Sequence, residues 1–561
     1  MRRRIGMPFA GAAGALALSV ASWSPGVHAQ APAAPISGVV TSAEEGAMEG
    51  VLVSARMAGS VITTTVVTDD KGRYAFPAGR LAPGKHQIKI RAAGFDLSQP
   101  LEVDVAAAKG ATADLKLVKT KDLAAQLTNA EWLESVPGTP QQKSMLQNCV
   151  NCHTVERVMR TKYTSKDFLE TVLPRMQSYV NQSIPEAPQL RKAERLMEER
   201  GDSRVQIYKA VGDYLSQINL NTSKDDNWGF ALKTFPRPKG KATRVVYTEY
   251  DLPRKTIQPH DVILDGRGYA YYLSFGEQFI GKLDVKTGAH TEFEIPMQKP
   301  GFPTGALSIR ADKEGYFWLG NMYQAAAIRF DPRTSTMKIW SLPKEANLDQ
   351  AQLNMTAPGS IGVDGKVWTQ NNGFAGIHRL EIATGKWETW EPFKGAKEPH
   401  NIYDIVADSK NNVYFTDFRW QHIGRLDAKT GEVWLYEVPT KGSNPRRMQI
   451  DDKERLWFGE YRGHKIGMFD TKTEKFKEWT LPTPWSAPYD VTLDKNEHAW
   501  TGSMLTDRVV RLDTASGVAT EYLTPRSTNI RRVHVDNTTT PPTFWVGNNH
   551  GASVLKLEPL D

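Results

Sequence analysis

Two periodicities divide the chain. From about Ile36 to Lys119, β-branched and polar residues alternate in short runs, ISGVVTS, GVLVSARM, VITTTVVT, GRYAFP, HQIKIRA and LEVDVA, separated by Gly, Asp-Asp-Lys-Gly and Pro-Gly turn signals. A period of two fits strands with one buried face, so this segment predicts an all-β sandwich. Between Lys121 and Leu220 the period lengthens to about 3.6 and predicts helices. Leu123, Leu127 and Trp132 mark the first. A second should run from Ser165 as N-cap through Phe168, Leu169, Val172, Leu173 and Met176 to Tyr179, kinked at Pro174. The last, VQIYKAVGDYLSQINL, sets Val205, Tyr208, Val211, Leu215 and Ile218 on one face.

A Lys/Pro/Gly-rich linker over 221–242 follows, and then alternation returns as a repeat. Each unit begins at a proline, continues through an alternating strand, an Asp turn, an aromatic strand and a variable loop, and closes with IGxLDxxTG and another aromatic strand. Units begin at Pro259, Pro303, Pro358, Pro399, Pro445, Pro488 and about Ile530, roughly 43 residues apart, with a longer second unit carrying an insertion around Lys344 to Met355. Four short strands in each of seven units predict a seven-bladed β-propeller over 243–561. The last unit ends at VLKLEPL without a fourth strand, and RVVYTEYDLP at Arg244–Pro253 is such a strand without a blade. Pairing them would close the ring and remove an open edge. The fold class is multidomain and mainly β: sandwich, small helical domain, propeller.

Composition changes this picture in three places. Of the net charge of +7, Arg2, Arg3 and Arg4 belong to an n-region that precedes an apolar stretch and Val27-His28-Ala29, so residues 1–29 read as a secretory signal peptide and the product as periplasmic or secreted. No basic run interleaved with aromatics points to nucleic acid, and no later stretch is apolar enough to span a membrane. The only two cysteines fall in CVNCH, Cys149 to His153. In C-x-x-C-H both thiols add across haem vinyl groups and the histidine is the proximal iron ligand, a reading preferred here to a disulfide or a thioredoxin-like dithiol. It implies one covalent haem c, with Met176 or Met197 as candidate sixth ligand.

Three resemblances extend the reading. Through ISGVVTS, TDDKGRYAFP and LAPGKHQIKIRAAGF, residues 36–119 resemble the carboxypeptidase regulatory-like family of transthyretin-like topology, which implies a spacing or adhesion module; its single His86 reads as a solvated strand residue. Residues 121–220 resemble small class I cytochromes c through CVNCH and a closing xxYLxxI helix, and LETVLPRM resembles cytochromes whose ligand follows an arginine late in the second helix, which favours Met176. LWFGEYRGHKIGMFDTKT and VYFTDFRWQHIGRLDAKT are similar to the virginiamycin B lyase (streptogramin lyase) family. That family removes a proton next to a carbonyl and expels a carboxylate, using His, Glu and His with Mg²⁺. Glu460 and His464 match its Glu and His; the blade-opening position of the same blade holds Arg446, so His260 or His400 would have to supply the other imidazole.

In a propeller the residue after each opening proline tends to face the central funnel, which gives His260, Thr304, Gly359, His400, Arg446, Tyr489 and Arg531, with Arg447 and Arg532 beside them. Imidazoles, a phenol and guanidiniums favour an anionic or oxygen-rich small molecule, with Arg446, Tyr489 and Arg531 as its contacts. Loops at the same mouth add Glu277, Asp417, Arg419, His422, Glu460, Arg462, His464, Asp507 and His550. The function expected first is a periplasmic c-type haem oxidoreductase: the propeller binds substrate, and iron held by His153 and Met176 passes electrons to a soluble redox partner such as another cytochrome. The alternatives are a C–O lyase with His260, His400, Glu460 and His464 as acid/base groups, or a non-catalytic ligand-binding protein.

Overall fold

The computed structural model describes residues 34–106, 110–177, 203–358 and 364–561. The expected leader, Tyr179, Met197 and Gly359 lie outside the described residues.

The N-terminal region is β-sandwich-like. Ile36–Ser42 pairs in parallel with Leu115–Lys119 in one sheet, while Leu52–Met57, Ile62–Val67, Gly84–Arg91 and Leu101–Val105 form part of the other. Alternating residues such as Ile36, Val40, Val53, Ile88, Val103 and Leu115 meet between them, as a period of two requires. His86 departs from its expected solvated place: it is buried, with Nδ1 3.0 Å from the Gly84 carbonyl.

The C-terminal region is propeller-like. Six four-stranded antiparallel sheets run in sequence order, and a seventh unit consists of His534–Asp536, Thr543–Asn548, Ser553–Pro559 and Val245–Asp251. Val245–Asp251 pairs with Ser553–Pro559 from Val245↔Pro559 to Asp251↔Ser553, so the two ends of the ring lock together. The outer edge of Val245–Asp251 takes Ile62–Val67 of the sandwich, so one sheet joins the two regions and no open edge is left there.

Strand register fixes which residues are equivalent. The residue opening a blade pairs with the last residue of that blade's second strand: Pro259↔Ser274, Leu353↔Asn371, Ile402↔Asp417, Pro445↔Glu460 and Pro488↔Ser503. Carried back from Ile309↔Leu319, the same rule gives Ala306. Blades 2, 3 and 4 therefore open at Ala306, Leu353 and Ile402, and not at Pro303, Pro358 and Pro399. Those prolines mark other parts of the chain, and the long second unit disappears.

Between these regions lies a helical segment of short pieces: Asn129–Ser135, Pro140–Met145, a 3₁₀ turn over Leu146–Asn151, Val155–Met159, Ser165–Asp167, Leu173–Gln177 and Ser203–Ile218. The helix expected from Ser165 is capped instead by Thr164, whose hydroxyl accepts from the Asp167 amide while Asp167 reaches back to the Thr164 amide. A π-type turn over Phe168–Val172 precedes Pro174, which has no N–H to continue an α-helical ladder. In the last helix Tyr208, Tyr214, Leu215 and Ile218 are buried, whereas Val205 is exposed. Among the described residues no helix is long and apolar enough to cross a membrane.

The helical segment sits on one face of the ring. Trp132, Leu146 and Val150 share a continuous core with Phe275, Leu307, Met355, Tyr403, Tyr461 and Tyr489, which come from six different blades. Polar contacts fix the seat: the Ala130 amide donates to Leu505 O (2.8 Å), Asn529 to Val150 O (3.1 Å) and Arg531 to Asn151 O (2.7 Å).

Candidate functional site at the propeller mouth

By register, the ring facing the helical segment is His260, Leu307, Asn354, Tyr403, Arg446, Tyr489 and Arg531, all buried. His260, Arg446, Tyr489 and Arg531 stand where the sequence places them. Leu307 takes the place of Thr304, and Tyr403 that of His400. His400 lies at the rim, its Nδ1 2.7 Å from Asp417 and its ring stacked on Phe393 at 3.8 Å. His422 approaches the same carboxylate at 3.7 Å. A signal for Tyr403 was present: HDVIL, YDIVA and YDVTL repeat one motif at 260, 403 and 489.

Those three motifs build a hydrogen-bonded chain. The Tyr403 and Tyr489 hydroxyls bond to each other, and Tyr489 also lies 3.3 Å from His260 Nε2. His260 Nδ1 is 2.6 Å from Asp261, so the proton sits on Nδ1 and Nε2 is the acceptor for a phenol. Burial pushes the imidazole down to about 3 and keeps it neutral.

One residue deeper the chemistry is saturated. Asp261 accepts from Arg447 at 2.7 and 3.1 Å, Asp404 from Arg310 at 2.8 and 2.9 Å, and Asp490 pairs with Arg532 at 2.9 Å. Burial acts to raise the Asp261 carboxyl, but Arg447 prevails and holds it well below the carboxylate range. Three guanidiniums facing three carboxylates fill the ring interior beneath the mouth.

Blades 1, 3, 4 and 7 share a turn contact that blade 5 lacks. The last residue of the second strand usually accepts the backbone N–H just ahead of the blade opening: Ser274 from Gln258 (3.4 Å), Asn371 from Gln352 (2.9 Å), Asp417 from Asn401 (3.1 Å) and Asn548 from Asn529 (3.3 Å). In blade 5 this residue is Glu460. Its side chain is buried, and among the described residues no donor meets either carboxyl oxygen. Burial, then repulsion from Glu478 and a hydrogen bond shared with that carboxyl, pushes it up to about 8 against the pull of Lys465. Room for it comes from Gly463, where a Cβ would lie 2.7 Å from Oε2.

His464 ends the same turn in the left-handed region (φ 56°), where blades 2, 3 and 7 carry Ala325, Ala375 and Ala552. Its Nδ1 accepts the Ala487 amide of the next blade at 3.2 Å, so its proton is on Nε2. Burial lowers this imidazole to about 4. The turn thus offers a carboxyl that is easily protonated and a neutral N–H donor. Among the described residues no group of three His, Cys, Asp or Glu is arranged to hold a metal ion, so the expected Mg²⁺ does not fit this turn and no step is assigned to it.

Arg446 follows Pro445, the backbone partner of Glu460. Its guanidinium stands over Tyr489 (4.1 Å), Tyr461 (4.6 Å), Phe418 (4.7 Å) and Tyr403 (5.2 Å). Nε is buried without a partner among the described residues, one Nη lies 3.5 Å from Met504 Sδ, and the Tyr403 and Tyr461 hydroxyls are its oxygen partners. Arg531 stacks over Phe275 at 4.9 Å and donates to Asn529 and to Asn151 O. Through Asn151 the CVNCH turn becomes one wall of the mouth.

Within CVNCH the two thiols are not joined in a disulfide, and burial pushes Cys149 up to about 12, so it stays a thiol. His153 Nδ1 donates to Thr154 O at 2.8 Å, leaving Nε2 as its ligating atom. These residues fit a haem that Cys149 and Cys152 would hold and His153 would ligate. Met176 does not complete it: the side chain is 40 % exposed.

Fold and site together define a propeller whose mouth is covered by the helical segment and lined by buried polar and charged side chains. A virginiamycin B lyase family model matches residues 300–557 and a carboxypeptidase regulatory-like domain model matches 35–118. The chain carries a virginiamycin B lyase-like propeller and a carboxypeptidase regulatory-like domain. Solved structures similar to it include virginiamycin B lyase from Staphylococcus aureus (21 % identity, 56 % of this chain and 99 % of that one, TM-score 0.48) and a streptogramin B lyase (21 %, 57 % and 99 %, TM-score 0.49). A catalytically inactive form of the Staphylococcus aureus enzyme, solved with quinupristin, is similar too (20 %, 56 % and 99 %, TM-score 0.48). No curated protein matches the chain.

These findings overturn the electron-transfer reading. The matching models fall on the sandwich and on a lyase-type propeller, the helices among the described residues are few, and Met176, the favoured sixth ligand, is exposed. A haem oxidoreductase with a soluble cytochrome partner is replaced by a lyase-like or ligand-binding propeller.

Proposed function

We propose that the propeller is a C–O lyase acting on a small ester whose acidic C–H lies next to a carbonyl. The observation that carries this reading is Glu460, which does not pin the turn as Ser274, Asn371, Asp417 and Asn548 do and keeps a buried carboxyl that no donor meets among the described residues, with the Glu478 carboxyl as its neighbour. Groups perturbed by burial at a cleft are candidates for proton transfer. Glu460 in its ionised form takes the C–H proton, and the Nε2–H of His464 donates to the carbonyl oxygen as negative charge grows there. The C–H electrons form the new double bond and the C–O bond breaks, releasing a carboxylate. His260 acts through Tyr489 and Tyr403 as a positioning residue, and His400 stays at the rim.

The test uses β-acyloxy carbonyl esters and follows the conjugated carbonyl chromophore that elimination creates. Turnover should rise with pH and level off above about 8 as Glu460 ionises. Glu460→Gln should lose at least about a hundredfold in kcat. Unchanged turnover in Glu460→Gln would exclude the mechanism, and saturable binding without product would leave a binding protein.

The cofactor is a separate matter, and we propose that Cys149 and Cys152 would hold a covalent haem with His153 as an iron ligand, on the strength of the C-x-x-C-H spacing and the Nδ1 bond of His153 to Thr154 O. When bound, the haem would supply an iron centre at the wall of the mouth. Haem-dependent staining of the denatured wild-type chain, absent in Cys149→Ala/Cys152→Ala, is the expected result; an unstained wild type made with haem-attachment machinery would refute it.

A further inference from the structure

Arg446 and Arg531 present an unfinished electrostatic arrangement. Both side chains are more than nine-tenths buried. The groups facing Arg446 are the phenols of Tyr403, Tyr489 and Tyr461; those facing Arg531 are Tyr489, Arg446, Tyr403 and Cys152. No carboxylate is among them, and each guanidinium adds to the other's repulsion. Burial and Arg446 lower the pKa of Arg531, the direction expected of a cation held away from water and beside a second cation. Buried charges in folded proteins are paired, and those left open mark the place of a ligand.

The partners these groups do have leave directions free. Arg446 Nε has none, and His550 Nε2, buried on the Arg531 side, has none. Arg446 has only neutral phenols, Tyr403 and Tyr461, as oxygen partners, and a planar guanidinium can exchange such neutral partners for a carboxylate held by two parallel bonds. The aromatic rings around Arg446 hold it in place without neutralising it. We propose that Arg446 and Arg531 form a carboxylate-binding site in the covered mouth, filled either by a soluble small-molecule acid or by the propionates of a tetrapyrrole carried on Cys149 and Cys152. This deepens the reading of the same mouth, and it is tested by binding so that its failure is separable from failure of the lyase chemistry.

The experiment is calorimetric titration of the full chain with benzoate and with benzamide, in wild type and in Cys149→Ala/Cys152→Ala, which cannot hold a covalent group. Carboxylate recognition predicts that benzoate binds the double variant at least about tenfold more tightly than benzamide. Arg446→Met and Arg531→Met should each abolish that preference, and Arg446→Lys, which keeps the charge but loses the fork, should retain part of it. Circular dichroism of each variant separates lost binding from lost fold. If the soluble acid is the occupant, haem-loaded wild type binds benzoate as the double variant does. If propionates fill the site, haem-loaded wild type does not bind benzoate, and Arg446→Met shifts the haem absorption bands and midpoint potential. Equal affinity for benzoate and benzamide, or benzoate binding that survives in both arginine variants, overturns the proposal.

Discussion

Arg446 and Arg447 are neighbours in sequence and opposites in setting, and Arg531 and Arg532 repeat the contrast. Arg447 and Arg532 point into the ring interior and meet Asp261 and Asp490; Arg446 and Arg531 point into the mouth and meet aromatic rings. An irregular blade opening separates them: Arg446 and Arg447 lie where the register shifts between Pro445 and Met448, and Arg531 and Arg532 precede the strand His534–Asp536, so consecutive side chains leave in different directions. The difference shows that one repeated position in a propeller can serve stability while the next is left free for a ligand. Charge satisfaction, and not the presence of arginine, distinguishes structural residues from functional ones.

The contrast is broken most severely at Arg447. Arg447→Met leaves Asp261 buried beside a neutral side chain and removes a cation from Asp404, which lies 3.6 Å from Arg447 Nε. Stranding a buried charge in this way costs about 3–5 kcal/mol, measurable by urea unfolding. Little or no loss would mean that water reaches the ring interior.

Glu460 gives the next largest effect, and its sign depends on pH. Its folded pKa of about 8 lies above the ordinary Glu value, so between these two the folded state holds a proton that the unfolded chain has released. Stability attributable to the group is complete at acidic pH and is lost as pH rises towards 8. Glu460→Gln removes that slope. Relative to wild type the variant should gain about 2–4 kcal/mol between pH 5 and pH 9, a figure reduced from the full shift because the group is not wholly desolvated. Parallel stability curves would show that the carboxyl has found an unseen partner.

Much of this was legible in the sequence. Period-two runs located the sandwich and the repeat located the ring; the incomplete last unit and the orphan strand at Arg244–Pro253 even showed how the ring closes. The sequence also pointed to Glu460, Arg446, Tyr489 and Arg531, because blades 5 to 7 open where the repeat suggests. Blades 2 to 4 misled because proline marks turns as readily as strand starts, and the strand register that decides between them comes from hydrogen bonds across the sheet. That shift hid Tyr403 and promoted His400. CVNCH carried a reading about the whole chain that its surroundings do not support, since a motif reports local chemistry while the function of a fused protein depends on what the larger domain binds.

The mouth arginines should respond in the opposite sense to Arg447. Arg446 lacks a carboxylate, so Arg446→Met strands no acid and places an apolar side chain among rings that already surround that position. Replacing a buried ion with a residue of similar volume is often neutral or stabilising. Stability should stay level or rise by about 1 kcal/mol in the same urea experiment in which Arg447→Met falls. Tyr403→Phe is gentler still: it removes one hydroxyl from the chain through Tyr489 to His260 and should cost about 1 kcal/mol or less, leaving Tyr489 bonded to the imidazole. If Arg446→Met were as damaging as Arg447→Met, the two neighbouring arginines would share one structural role. The mouth would then have no charge to spare for a ligand, and the contrast between ring and interior would vanish.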